Sequence, residues 1–221
     1  MNNKIITLSA TAILTGLFSL AQAQDDGDVR DPKAKKILDE VSAQTSAYTD
    51  ISAHFTYTLE NKESDIHDSQ DGEIIIKGSK YNLKIAGREI IFDGKHMWTI
   101  MPTDEEVTKS LPDKDAFSPA DMFKTYEEGW KFRYIKKAKE GNVDVDLIDL
   151  VPKNGDKSFS RVRLSIDGAK KRVVKAYFFG KDGSSYIYEL KDMKSNQNVP
   201  DSKFMFDPKA HPDYDVTDLT E

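Results

Sequence analysis

The chain has 221 residues, a formal net charge of −6 and no cysteine. The acidic balance argues against a nucleic-acid partner. The missing thiols exclude disulfides, so a packed core has to hold the fold together.

The chain opens Met1-Asn2-Asn3-Lys4, continues as an apolar run from Ile5 to Leu20, and reaches the small-x-small triplet Ala21-Gln22-Ala23. This is the three-part layout of a secretory signal peptide. The run is short for a membrane span and ends at a cleavage site, not at a basic stop. Residues 1–23 are therefore expected to be removed, 24–30 to form a flexible N-terminus, and 31–221 to form a single domain. A bacterial lipoprotein needs a cysteine at its cleavage site, so the chain is expected to carry no lipid of its own.

Asp31-Pro32 reads as a helix N-cap with proline at the first helical position. Ala34, Ile37, Leu38, Val41, Thr45 and Tyr48 then recur at three and four residues, which predicts an amphipathic helix. After Asp50 the period changes to two. Ile51, Ala53, Phe55, Tyr57 and Leu59 alternate with Ser52, His54, Thr56 and Thr58, predicting a half-buried strand. The polar stretch 61–71 reads as a turn. Strands are expected at 72–77, 81–85, 89–92 and 96–101, with Asp93-Gly94 as a tight turn. Ser118-Pro119 starts a short helix through Met122, Phe123 and Tyr126, ending at Gly129. Further strands are expected at 130–135, 143–151, 159–166, 172–179 and 186–192, before a closing Phe204-Met205-Phe206. The fold class is thus α+β, mainly β. It is a curved, open antiparallel half-barrel of about ten or eleven strands, with helices lidding the concave apolar face.

Several segments then resemble, in order, the LolA-like outer-membrane lipoprotein carrier family. They are Ser52-Ala53-His54-Phe55-Thr56, Gly72-Glu73-Ile74-Ile75-Ile76-Lys77, the stretch Phe92 to Pro102, Leu150-Val151-Pro152-Lys153, and Lys203-Phe204-Met205-Phe206-Asp207-Pro208. The resemblance spans roughly residues 31–218. It implies an open half-barrel with an apolar cavity for acyl chains. It also implies a monomer in the periplasm that takes acylated lipoproteins from an inner-membrane lipoprotein-releasing ABC transporter and hands them to an outer-membrane acceptor. Members often carry Arg-Pro at the end of the second strand, where the arginine bonds the lid. Here Gly78-Ser79 stand there. Either another residue closes the lid, with Lys77 and Lys80 as candidates, or the lid is looser.

The expected site is apolar, not catalytic, and calls for no cofactor and no metal. Strand candidates for the lipid-binding wall are Tyr57, Leu59, Ile74, Ile76, Tyr81, Leu83, Ile85, Trp98 and Ile100. Helix candidates are Leu38, Val41, Met122 and Phe123. Alternation marks a face as apolar and leaves open whether lipid or protein covers it. The four histidines, His54, His67, His96 and His211, lack metal-ligand spacing. Asp144 and Asp146 read as the solvent side of a strand. Gly183-Ser184-Ser185 lacks the nucleophile elbow of a serine hydrolase, and no phosphate-cradling loop for ATP occurs. Three further readings stand beside the lipoprotein carrier: a carrier of another lipid or glycolipid, a lipid-sensing periplasmic regulator, and a lipid enzyme that lacks a visible nucleophile–base set.

Overall fold

The computed structural model describes residues 31–112, 129–155 and 157–220. The signal segment and the expected helix carrying Met122 and Phe123 lie outside the described residues. Helix α1 (Pro32–Ser46) starts as its sequence requires. Asp31 Oδ1 accepts from the amides of Lys33 (2.8 Å) and Ala34 (3.2 Å). Ala34, Leu38, Val41 and Thr45 form its buried stripe.

Twelve strands among the described residues form one sheet. In chain order they are β1 (Ile51–Asn61), β2 (Ile66–Lys77), β3 (Lys80–Ile85), β4 (Arg88–Phe92), β5 (Met97–Met101) and β6 (Glu106–Ser110), followed by β7 (Trp130–Glu140), β8 (Val143–Pro152), β9 (Phe159–Asp167), β10 (Arg172–Gly180), β11 (Ser185–Ser195) and β12 (Asp215–Asp218). Their spatial order is β12-β6-β5-β4-β3-β2-β1-β11-β10-β9-β8-β7. The edges β12 and β7 do not meet, so the sheet stays open. Pairing is antiparallel throughout, apart from β12, which runs parallel to β6.

Three elements differ from the sequence reading. β2 begins at Ile66, because the polar run 66–71 pairs residue by residue with β1 although its side chains are mostly exposed. Backbone pairing to a long neighbour, not burial, makes it a strand. β6 begins at Glu106, beyond the last strand expected before the Ser118-Pro119 helix; the turn before it ends at Glu105, whose φ is 56°. β12 is four exposed residues with no apolar signal, held by its ladder to β6.

The sheet coils, as long twisted sheets do. Residues from β4 to β7, far apart in the strand order, join α1 in one apolar cluster. Bulges interrupt β1–β11, β9–β10 and β7–β8 and add bend. At Gly72, which faces Phe55 across β1–β2, a Cβ would overlap the Phe55 ring and sit 2.7 Å from the Lys84 carbonyl oxygen. The glycine is what lets that ring lie across the strand.

A second cluster covers the opposite, convex face of the β2–β6 half. Ile91, Ile100 and Val107 bury there against Phe204 and Phe206, with Ile75 and Trp98 alongside. The segment after β11 crosses this face and is anchored by Asp50. The Asp50 carboxylate accepts from the amides of Gln197 (2.8 Å) and Val199 (3.3 Å) and from the Thr49 hydroxyl (3.0 Å). Burial alone would raise this carboxyl; the amide and hydroxyl donors outweigh it and hold it below the usual aspartate range. Lys77 Nζ adds bonds to the Val199 carbonyl (2.9 Å) and Asp201 (2.7 Å), and Lys80 lies 3.5 Å from Asp201.

Candidate functional site

α1 covers only part of the concave face. Its N-terminus is fastened to β7: the Asp31 amide donates to the Phe132 carbonyl (3.2 Å), and Asp31 Oδ2 accepts from the Tyr134 amide (3.1 Å). Near its C-terminus, Gln44 Nε2 donates to the Lys170 carbonyl in the β9–β10 turn (3.1 Å). Beneath it Ile148, Leu150, Val162, Leu164 and Ile166 are at most 2% exposed. That region is dry protein core.

The opposite end of the trough, where β1 and β10 finish and β11 begins, has no such cover from α1. A row of aromatic rings crosses it. Trp130 stacks on Phe159 (centroids 6.0 Å), Phe159 meets Phe178 edge-on (5.4 Å), Phe178 meets Tyr188 (5.7 Å), and Tyr188 meets Tyr57 (5.2 Å). The row passes through β7, β9, β10, β11 and β1. Such edge and offset contacts hold the rings without sealing them. Tyr57, Tyr186 and Tyr188 stay half-buried. Burial pushes the Tyr188 phenol up to about 12, helped by the neighbouring phenols of Tyr57 and Tyr186. It raises Tyr57 as well. These phenols are therefore neutral at neutral pH. On the flank, Leu83, Ile85, Ile90 and Phe92 form a second half-buried apolar wall. A depression of about 750 Å³ beside Gly72 touches Phe55 and Ile85 but is rimmed by charged groups, His54, Glu73, Lys84 and Lys191 among them.

The structure places the sequence candidates in four settings. Tyr57, Leu83 and Ile85 are half-buried on the concave face, and Leu59 shares their side of β1 nearer the tip. Ile74, Ile76 and Tyr81 are buried in its floor, and Leu38 and Val41 form the underside of α1. Trp98 and Ile100 do not belong to this face. Pairing of Ile91 with Trp98 and of Ile100 with Val107 puts them on the convex side, beneath the C-terminal segment. The physical reason is that β5, Met-Trp-Thr-Ile-Met, is apolar on both faces, so alternation cannot tell inside from outside. Met122 and Phe123 lie outside the described residues.

Sequence reasoning missed Trp130, Phe159, Phe178, Tyr186, Tyr188, Ile90 and Phe92. Tyr186-x-Tyr188-x-Leu190 carried a period-two signal, whereas Tyr177-Phe178-Phe179 put aromatic rings on both faces of β10 and hid it. Lys77 and Lys80, the candidates for closing a lid, instead grip the C-terminal segment on the convex face; Asp31, Gln44, Lys33 over the Tyr134 ring and Glu40 beside Lys171 help fasten α1. The histidines have structural settings: His54 lies 3.3 Å from Glu73, His67 3.4 Å from Glu60 and His96 3.5 Å from Asp93, while His211 stacks on Phe206. Asp146 accepts from the Tyr134 hydroxyl (3.0 Å), and Asp144 pairs with Lys139 (3.0 Å).

An open half-barrel with an aromatic, partly covered trough defines a lipid-binding carrier fold. The sequence model of the family described as outer membrane lipoprotein carrier protein LolA matches residues 46–207, and the chain belongs to that family. The family is one of carriers, not of enzymes. No curated protein matches the chain significantly. Among solved structures, an uncharacterized conserved protein from Thermus thermophilus is similar over 84% of this chain and 99% of its own, at 13% identity and a TM-score of 0.56. A LolA superfamily protein from Nitrosomonas europaea covers 78% of this chain and 97% of its own, at 14% identity and a TM-score of 0.44. LprF from Mycobacterium bovis covers 78% and 98%, at 13% identity and a TM-score of 0.49. At these identities the likeness is one of fold.

Proposed function

We propose that this protein is a periplasmic carrier that binds the acyl chains of lipoproteins and moves them from the inner to the outer membrane. In this reading residues 1–23 direct export and are removed, and residues 24–221 act as a monomer. Cargo comes from an inner-membrane ABC transporter, since the sequence carries no phosphate-cradling loop for ATP, and passes to an outer-membrane acceptor.

The observation that carries the proposal is the half-covered aromatic trough. Burying acyl chain gains about 0.8 kcal/mol per methylene, so a fully dry cavity would hold several chains too tightly to release them. A carrier has to match the bilayer closely. Rings left half-buried at the mouth contribute part of that burial and give it back when the cargo leaves.

The test is a release assay. Spheroplasts making a tagged lipoprotein are incubated with the purified protein, and the soluble fraction is probed for the complex. Acyl-dependent release is expected. A folded protein that binds a fluorescent fatty acid but releases no lipoprotein would instead be a carrier of another lipid. A protein that does neither would sink the carrier reading.

A further inference from the structure

The convex face of the β7–β9 corner lies away from both the trough and the C-terminal segment. Cross-strand registry lays out its side chains in rows. Arg133 pairs with Asp149, Asp149 with Arg163 and Arg163 with Tyr177, while Lys131 pairs with Val151 and Lys136 with Leu147. Pairs of this kind share a face. Asp149 is 3% exposed. Both its oxygens are occupied: Arg163 Nε donates at 2.6 Å and Nη2 at 2.9 Å, and Arg161 Nη1 at 3.0 Å. Arg161 also lies over the Phe179 ring at 4.1 Å. The two guanidinium groups are thus fixed in place, with side chains 27% and 35% exposed. Arg133 and Lys136 are exposed beside them, and so is Val151. Lys175, in the next row, is already held by Glu140 and Glu189.

Among the described residues four cations, Arg133, Lys136, Arg161 and Arg163, therefore surround one buried carboxylate on a chain of net charge −6. A lone Asp–Arg pair would balance itself; here one carboxylate orients two guanidinium groups and leaves the patch positive. Lysines on the unpaired edge strand β7 also discourage edge-to-edge association. That role does not account for arginines fixed two strands in. We propose that this patch is a docking surface for an anionic membrane, recognising phosphate-bearing headgroups. The surface is a sheet face, not a cleft, which suits a bilayer. Arg133 can grip a phosphate through its fork, Arg161 and Arg163 add the N–H groups that Asp149 does not use, and the exposed Val151 adds apolar contact at the interface. The proposal does not depend on what the trough carries.

Vesicle flotation tests it. The purified protein is mixed at low salt with phosphatidylcholine vesicles, with or without phosphatidylglycerol. Binding is expected only with phosphatidylglycerol and is expected to fade as salt rises. Each cation near an anionic surface is worth about fivefold in affinity, so R133Q/K136Q should bind roughly thirtyfold more weakly. That double variant avoids Arg161 and Arg163, whose loss would strand Asp149, and should keep wild-type Tm and fatty-acid binding. Equal binding to both vesicle types, or unchanged binding by the double variant, overturns the proposal. So does capture of polyglutamate with no response to vesicles, which would assign the patch to an acidic protein. Release from vesicles by millimolar inorganic phosphate at constant ionic strength also overturns it, in favour of a single-ion site.

Discussion

The two ends of the concave face are both apolar but are built from different residue types, and they behave differently. Under α1, the β-branched and leucine side chains of β8 and β9 are almost completely buried. At the far end, tyrosines and a tryptophan on β1, β7 and β11 keep part of each ring exposed. The difference lies in the cover. Among the described residues one helix, pinned at Asp31 and Gln44, covers half the trough and leaves the other half without cover from α1. A folded chain rarely leaves contiguous apolar area open without a use.

The largest expected effect falls in the dry half. Leu164→Ala removes a side chain that is 1% exposed and should cost about 2–5 kcal/mol in denaturant unfolding, while the folded fraction binds fluorescent fatty acid as before. The sharpest version of the comparison sets two wall positions against each other. Leu83→Glu puts a carboxylate into the trough and should weaken fatty-acid binding by about tenfold or more with the fold intact. Trp98→Glu should instead loosen the packing on Phe206, at a cost of roughly 3 kcal/mol, and leave lipid affinity of the folded protein alone. The reverse pattern would mean that the two faces have been exchanged.

Asp50→Ala tests the cover of the convex face. It strands the amides of Gln197 and Val199 and should cost about 2 kcal/mol. Because the folded carboxyl titrates below its unfolded value, its contribution is present above the unfolded pKa and lost as pH falls through the folded one. The acid limb of a Tm–pH profile should therefore flatten in the variant. A smaller effect is expected at the mouth. The Tyr188 phenol is raised from 10.0 to about 12, so folding favours its neutral form. That contribution is whole below pH 10 and is lost as pH climbs toward 12. Tyr188→Phe should remove about 1–2 kcal/mol of alkaline destabilisation, read from unfolding at successive pH values. The smallest change is Asp201→Ala. It breaks a largely exposed pair with Lys77, leaves the Lys77 bond to the Val199 carbonyl in place, and should move Tm by no more than a degree or two, about what a surface ion pair contributes.

Much of the fold could be read directly from the chain. Asp31-Pro32 marked the start of α1, the period-two run at 51–59 marked a strand, and turn signals bounded the strands at 72–77 and 143–151, because capping, alternation and turns are properties of neighbouring residues. The ordered segments from Ser52 to Pro208 marked the family for the same reason: each is short and local. What the tertiary structure alone decided was the cover. Whether Leu83 or Trp98 faces the trough depends on register and on a segment a hundred residues away that buries one side of β5. Strands 66–71 and 215–218 owe their existence to backbone partners rather than to apolar side chains, and 106–110 adds to its ladder a single buried side chain, Val107. The aromatic row from Trp130 to Tyr57 draws on five strands scattered through the chain. Local pattern says which side chains avoid water, and only the packed sheet says what they meet instead.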